Sequence, residues 1–154
     1  MTAKLTVSLA ERVQRLEDLE QIRDLMSRYA VATSKGQNSR VVEVEQLPSI
    51  FASDATWEGP SQRVTGLENI MEGLRSATAH IEYSTHVFSN PVLTLDGDSA
   101  SGTWLLSVVA KRNGNYHHGQ APEDVTYIRT PWGWRIQSVR LQGGVFFPLR
   151  EDVT

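Results

Sequence analysis

Two side chains in this 154-residue sequence pair a proton-handling group with apolar surroundings: Tyr29, in RYAVAT, and His86, in YSTHVF. An imidazole that titrates near neutrality can take a proton from carbon beside a carbonyl and return it to a leaving hydroxyl. A phenol, with a pKa of about 10, can donate a hydrogen bond to the oxygen of the enolate that forms. Each residue also has a plainer explanation, a core tyrosine bonded to a backbone carbonyl and a strand histidine held structurally. Asp124 and Arg140 are the charged candidates, and both equally fit solvated or interface ion pairs. Arg140 could bind a carboxylate or a coenzyme A phosphate carried by a substrate. Trp57, Phe88, Trp104, Phe146 and Phe147 offer aromatic surface either for a flat, apolar ligand or for the core.

The adjacent His117 and His118 would face opposite ways in a strand, and no third or fourth ligand can be identified. They are read as loop residues, and no metal is expected. No glycine-rich turn has phosphate-loop spacing and there is no Gly-x-Ser-x-Gly elbow, so nucleotide hydrolysis and serine-hydrolase chemistry have no support.

These residues must be held by elements that the periodicity outlines. Leu9, Val13, Leu16, Leu19, Ile22, Met26 and Tyr29 recur every three or four positions, which predicts one long amphipathic helix with a single buried stripe, ending near Ser34 before Lys35-Gly36. Residues 37–53 suggest a short, broken helix, with Asn38 or Ser39 as a cap and Pro48 as an interruption. Asp54–Pro60 and Arg63–Thr65 read as a small hairpin, and a second helix is expected from Thr65 or Gly66 to about Thr78. Beyond it, Tyr83–Leu95 and Ser99–Lys111 flank the tight-turn signal Asp96-Gly97-Asp98. Residues 116–123 are expected to form a loop. A third strand is expected from Asp124 to Thr130, and a fourth from Trp134 to about Phe147.

Helices first and long antiparallel strands afterwards is the α+β order. A twisted sheet of this length curls around the helix that covers it, giving a cone-shaped α+β barrel with N-terminal helices in the concave face. The length suits a single domain spanning 1–154, with residues 1–8 flexible. A formal net charge of -3, with scattered basic residues, argues against nucleic acid as a partner. No apolar run approaches the roughly 20 residues needed to cross a bilayer, and the first twenty residues turn acidic before a signal-peptide core could form. A cytoplasmic protein without a membrane partner is therefore expected. The absence of cysteine removes disulfides, thiolate nucleophiles and Cys-ligated metals.

Several local motifs, in order and at suitable spacing, resemble the SnoaL-like branch of the nuclear transport factor 2 superfamily. They are Ile22-Arg23-Asp24-Leu25 with Arg28-Tyr29-Ala30, Phe51–Ala55 leading into Trp57, and His86 with Asn90-Pro91-Val92. Further along come Asp96-Gly97-Asp98 through Gly102 and Trp104, then Tyr127–Thr130 with Gly133–Ile136. The resemblance covers nearly the whole chain. It implies catalytic roles for Tyr29, as the contact to a substrate oxygen, and for His86, as the proton shuttle. It also implies a hydrophobic or aromatic small-molecule substrate, no cofactor, and a homodimer or homotrimer.

Two departures weaken a standard dehydratase assignment. Related enzymes commonly carry an aspartate about five residues after the helix tyrosine, where this chain has Thr33-Ser34. They also carry an acid past the tryptophan, where this chain has Val108. Asp124 could stand in as the partner of His86. The scaffold hosts lyases, isomerases and cyclases as well as non-catalytic binding proteins, so a ligand-binding or protein-interaction module remains the alternative.

Overall fold

Ser8 opens the first helix with a reciprocal cap: its Oγ accepts from the Glu11 backbone N–H at 3.2 Å, while the Glu11 carboxylate accepts from the Ser8 N–H at 2.7 Å. The computed structural model describes residues 7–36 and 41–149. Helix α1 spans Leu9–Thr33, with Ser34 as its C-cap. Only its second half carries the expected stripe: Ile22, Leu25, Met26, Tyr29 and Ala32 are buried, whereas Leu9, Val13 and Leu16 are exposed. A helix of 25 residues is about 37 Å long, and its first turns lie outside the part that is covered.

A short 3₁₀ helix over Val44–Ser49 follows, with Pro48 inside it. Asn38 and Ser39, the expected caps, and most of the expected flexible N-terminus lie outside the described residues. Strands β1 (Phe51–Glu58) and β2 (Arg63–Thr65) form the small hairpin, and α2 spans Leu67–Thr78. The remaining strands are β3 (Tyr83–Asp96), β4 (Ser99–Arg112), β5 (Asn115–Thr130), β6 (Gly133–Leu141) and β7 (Val145–Pro148). The sheet order is β2-β1-β6-β5-β4-β3, with β7 paired to β5 beside β6. All pairings are antiparallel except β1 with β6. The sheet is curved but not closed, so the expected barrel is an open α+β cone.

Two expectations need correction. Residues 116–123 are strand, not loop. Asn113 and Gly114 both take positive φ (50° and 77°), the conformation of a two-residue hairpin turn, so β5 begins at once and runs for 16 residues against β4. His117 and His118 consequently lie in β5. The expected fourth strand is also two strands: β6 stops at Leu141, and β7 resumes at Val145 on the same side of β5. Gly144 makes that return possible, since a Cβ there would run into the Gln120 carbonyl and Ala121. At the other end of the sheet, Asn90 (φ 51°) marks a register shift in β3 between Ser89 and Val92. Such a bulge bends a strand and increases its twist.

The helix is tied to the sheet by a buried charge. Asp18 accepts two 2.7 Å hydrogen bonds from the Arg129 guanidinium and a third, at 3.1 Å, from the Trp134 indole. Arg129 also lies over the Trp134 ring at 4.5 Å and reaches Asp98 in the β3–β4 turn. One arginine thus links α1, β5, β6 and a hairpin end.

Candidate functional site

The concave face and the two helices leave a cavity of about 280 Å³. Tyr29 enters it from α1, Trp57 from β1, His86 and Phe88 from β3, Val108 from β4 and Glu123 from β5. Ile70, Leu74 and Ala77 of α2 close one side. The wall is therefore mostly apolar, and its polar groups come from different elements.

Alternation along β3 places His86 and Phe88 on the same face. Phe88 stacks on Tyr29 with ring centroids 5.3 Å apart, and Phe51 meets the same ring edge-on at 5.2 Å. The phenol is thus clamped between two aromatic rings. Burial pushes its pKa above the ordinary tyrosine range, charge on Glu123 adds to this, and a hydrogen bond from Trp57 works against it. Tyr29 is a neutral O–H donor at any working pH.

His86 is half-buried, and its partner is Ser34 at the end of α1. The Ser34 Oγ accepts the His86 backbone N–H at 3.0 Å and lies 3.4 Å from Nδ1. The same hydroxyl donates its single proton to the Ala30 carbonyl at 2.7 Å. With that proton committed, Nδ1 must be the donor in the contact with Ser34, and Nε2 is left with a free lone pair. Burial, with no charged partner among the described residues, pushes the imidazole pKa down to about 4. Ser34 occupies the place where relatives were expected to carry an aspartate, so it orients the ring without supporting a positive charge on it.

The acid of the cavity is Glu123, which sequence reasoning missed. Its residue is 2% exposed and its Oε2 has no hydrogen-bond partner among the described residues. Burial raises its pKa to about 8, so the carboxyl is protonated at neutral pH. The usable signal was the alternation of β5: Ala121, Val125 and Tyr127 are buried, and Glu123 shares their face. Asp124 belongs to the opposite face.

Three expected site residues lie elsewhere. Asp124 accepts from the Thr103 hydroxyl at 3.0 Å and from the Gln142 amide at 2.5 Å, outside the cavity. Trp104 is buried in the core, donating to the Tyr127 hydroxyl at 2.7 Å. Arg140 is exposed and lies 3.7 Å from the Glu58 carboxylate. Asp124 and Arg140 lie on the opposite face of their strands from the cavity-lining Glu123 and Leu141, whereas Trp104 shares the face of Leu106 and Val108 and is packed into the core further along β4. Of the adjacent histidines, His117 stacks on Phe146 at 5.2 Å and His118 contacts the Ser107 hydroxyl at 3.0 Å. No helix among the described residues is long and apolar enough to cross a membrane.

Comparison with known proteins agrees with this architecture. A hexachlorocyclohexane dehydrochlorinase, LinA-type3 from Novosphingobium barchaimii LL02, superposes with a TM-score of 0.78 at 20% identity, covering 90% of this chain and 94% of that one. An NTF2-like protein with a cystatin-like fold from Novosphingobium aromaticivorans gives 0.73 at 23% identity, covering 91% and 90%. The Kfla4162 protein from Kribbella flavida gives 0.75 at 21%, covering 85% and 95%. At these identities the likeness establishes the fold. No curated protein matches the chain in sequence. The SnoaL-like domain model matches residues 14–140, a span that includes α1 from its second turn and every strand through β6, and the chain therefore belongs to the SnoaL-like domain family.

Proposed function

We propose that this protein is a cofactor-independent lyase or isomerase, of dehydratase or cyclase type, that moves a proton on carbon beside a carbonyl. The substrate would be a polyketide-, steroid- or terpenoid-like molecule. The observation that carries the reading is one largely apolar cavity bordered by both a neutral imidazole with a free Nε2 and a neutral phenol. His86 Nε2 takes the proton from carbon, and the Tyr29 hydroxyl donates to the oxygen on which negative charge develops. His86 then returns the proton, either to a leaving hydroxyl, giving water loss, or to another carbon, giving double-bond migration. The similarity in fold to a dehydrochlorinase supports elimination chemistry on this scaffold.

A second reading, a non-catalytic ligand-binding module, is favoured by the Ser34 contact, because a histidine without a carboxylate partner is a weak base. Exchange of α-protons separates the two. The neutral bicyclic ketone 1-tetralone, incubated in D₂O, should lose its α-protons faster with the wild type than with H86A, by about 10²- to 10⁴-fold. Circular dichroism should show both proteins folded. Equal exchange rates in two folded proteins would leave the binding module as the better account.

A further inference from the structure

A carboxyl group with 2% residue exposure and, among the described residues, no cation beside it and an unpartnered oxygen is costly to fold around, since an unpaired buried polar group forfeits on the order of 1–3 kcal/mol. Replacing it with leucine would remove that cost. The group also lines the cavity, so a bound molecule can supply the missing hydrogen bond.

We propose that the Glu123 carboxyl is a second hydrogen-bond donor which, together with the Tyr29 hydroxyl, receives the oxygen of a neutral, compact and otherwise apolar ligand. The inference rests on the reading that the cavity binds a small molecule, and it adds the ligand's chemical class and the residue that selects it. Three observations argue for it. Tyr29 and Glu123 line the same cavity from opposite layers, α1 and β5, and are close enough for charge on one to act on the other. Among the described residues no lysine or arginine lines the cavity, so a carboxylate or phosphate entering it would find no counter-ion among them. The volume of about 280 Å³ lies just below the roughly 300–1,000 Å³ typical of ligand sites, which suits a compact ligand.

A neighbouring apolar hollow of about 170 Å³ shares the walls Leu106, Val108 and Leu141 and is bounded by Gly144, Val145 and Phe146. That hollow continues the apolar surface toward β7, away from the polar groups of the main cavity. A carbonyl satisfies both donors at once with its two lone pairs. A carboxylate would lose its hydration and gain only neutral donors.

The test compares 1-tetralone with tetralin, the same skeleton without the oxygen, by calorimetric titration at pH 6.5. The wild type should bind 1-tetralone at least about tenfold more tightly than tetralin. In E123L that preference should shrink to about threefold or less, with tetralin binding as well as or better than in the wild type. E123Q, whose amide still donates, should keep the preference to within threefold. The anionic 1-naphthoate should bind the wild type more weakly than 1-tetralone does. A preference unchanged in E123L, a preference lost in E123Q, stronger binding of 1-naphthoate, or no saturable binding of 1-tetralone would each overturn the proposal. H86A, which enlarges the cavity, should keep the preference for 1-tetralone over tetralin while failing to exchange the ketone's protons, so the binding claim and the catalytic claim can fail separately.

Discussion

At the scale of single residues, the site is defined by what its polar groups lack. His86 has a serine where a carboxylate would raise its basicity, and Glu123 has no cation among the described residues that would keep it ionised. Their environments push their proton affinities in opposite directions, to about 4 and about 8. Between those values the base is unprotonated and the acid is protonated, which is the arrangement that proton transfer requires. Substituting the histidine's partner tests this directly. In S34D a carboxylate would face Nδ1–H and stabilise the imidazolium, so the His86 pKa should rise by at least one unit. Nitrogen NMR of the ring should record that rise, and an unmoved value would show that Ser34 does not set the state of His86. Tyr29 and His86 were legible from residue type and local motif. Glu123 was hidden by a one-residue ambiguity, because Glu123 and Asp124 are consecutive acids in a strand and only the register decides which points inward. Ser34 was visible as a departure from the family pattern, while its committed proton is a fact of three-dimensional geometry.

At the scale of elements, the periodic signals located both helices and strands β3 and β4 to within a residue or two, and the first hairpin with its leading strand starting three residues earlier than expected. Those signals failed where pairing overrode composition. The segment YHHGQAPE has little strand character, yet β4 on one side and β7 on the other hold most of it in the sheet. The Asn113-Gly114 turn was the sequence clue, since two successive residues tolerant of positive φ suit a direct hairpin. The buried stripe of α1 was overextended for a different reason: periodicity records a face but not the point at which a neighbour stops covering it. Asp18 marks that point, and its link to Arg129 and Trp134 fixes how the helix lies over the sheet. D18A should therefore lower stability by about 3 kcal/mol, because Arg129 and the Trp134 N–H lose a buried acceptor, and the melting temperature should fall by roughly 6–12 °C. Thermal unfolding followed by circular dichroism measures this. A change below about 1 kcal/mol would mean that Asp18 does not anchor the helix.

At the scale of the whole molecule, the cone serves to bring groups from α1, α2, β1, β3, β4 and β5 to one largely apolar cavity. Fold class and family were readable because they depend on the order of many weak signals spread over nearly the whole chain. The chemistry was less so, because it depends on which side of a strand a single residue occupies. Among the described residues, the titratable groups that line the cavity are Tyr29 from α1, His86 from β3 and Glu123 from β5, while Tyr127, four positions further along β5, is buried in the core. Both tyrosines are raised above their ordinary range, chiefly by burial, which leaves His86 and Glu123 to shape the response to pH. Activity should rise with pH as His86 loses its proton through about 4, and fall as Glu123 loses its own through about 8. The most direct measurement is the pH dependence of wild-type-catalysed α-proton exchange in 1-tetralone. The account predicts a plateau between those two limbs, with the upper limb absent in E123Q and the whole profile lost in H86A. A profile that rises only through the ordinary histidine range near 6.5, or an upper limb that persists in E123Q, would contradict it.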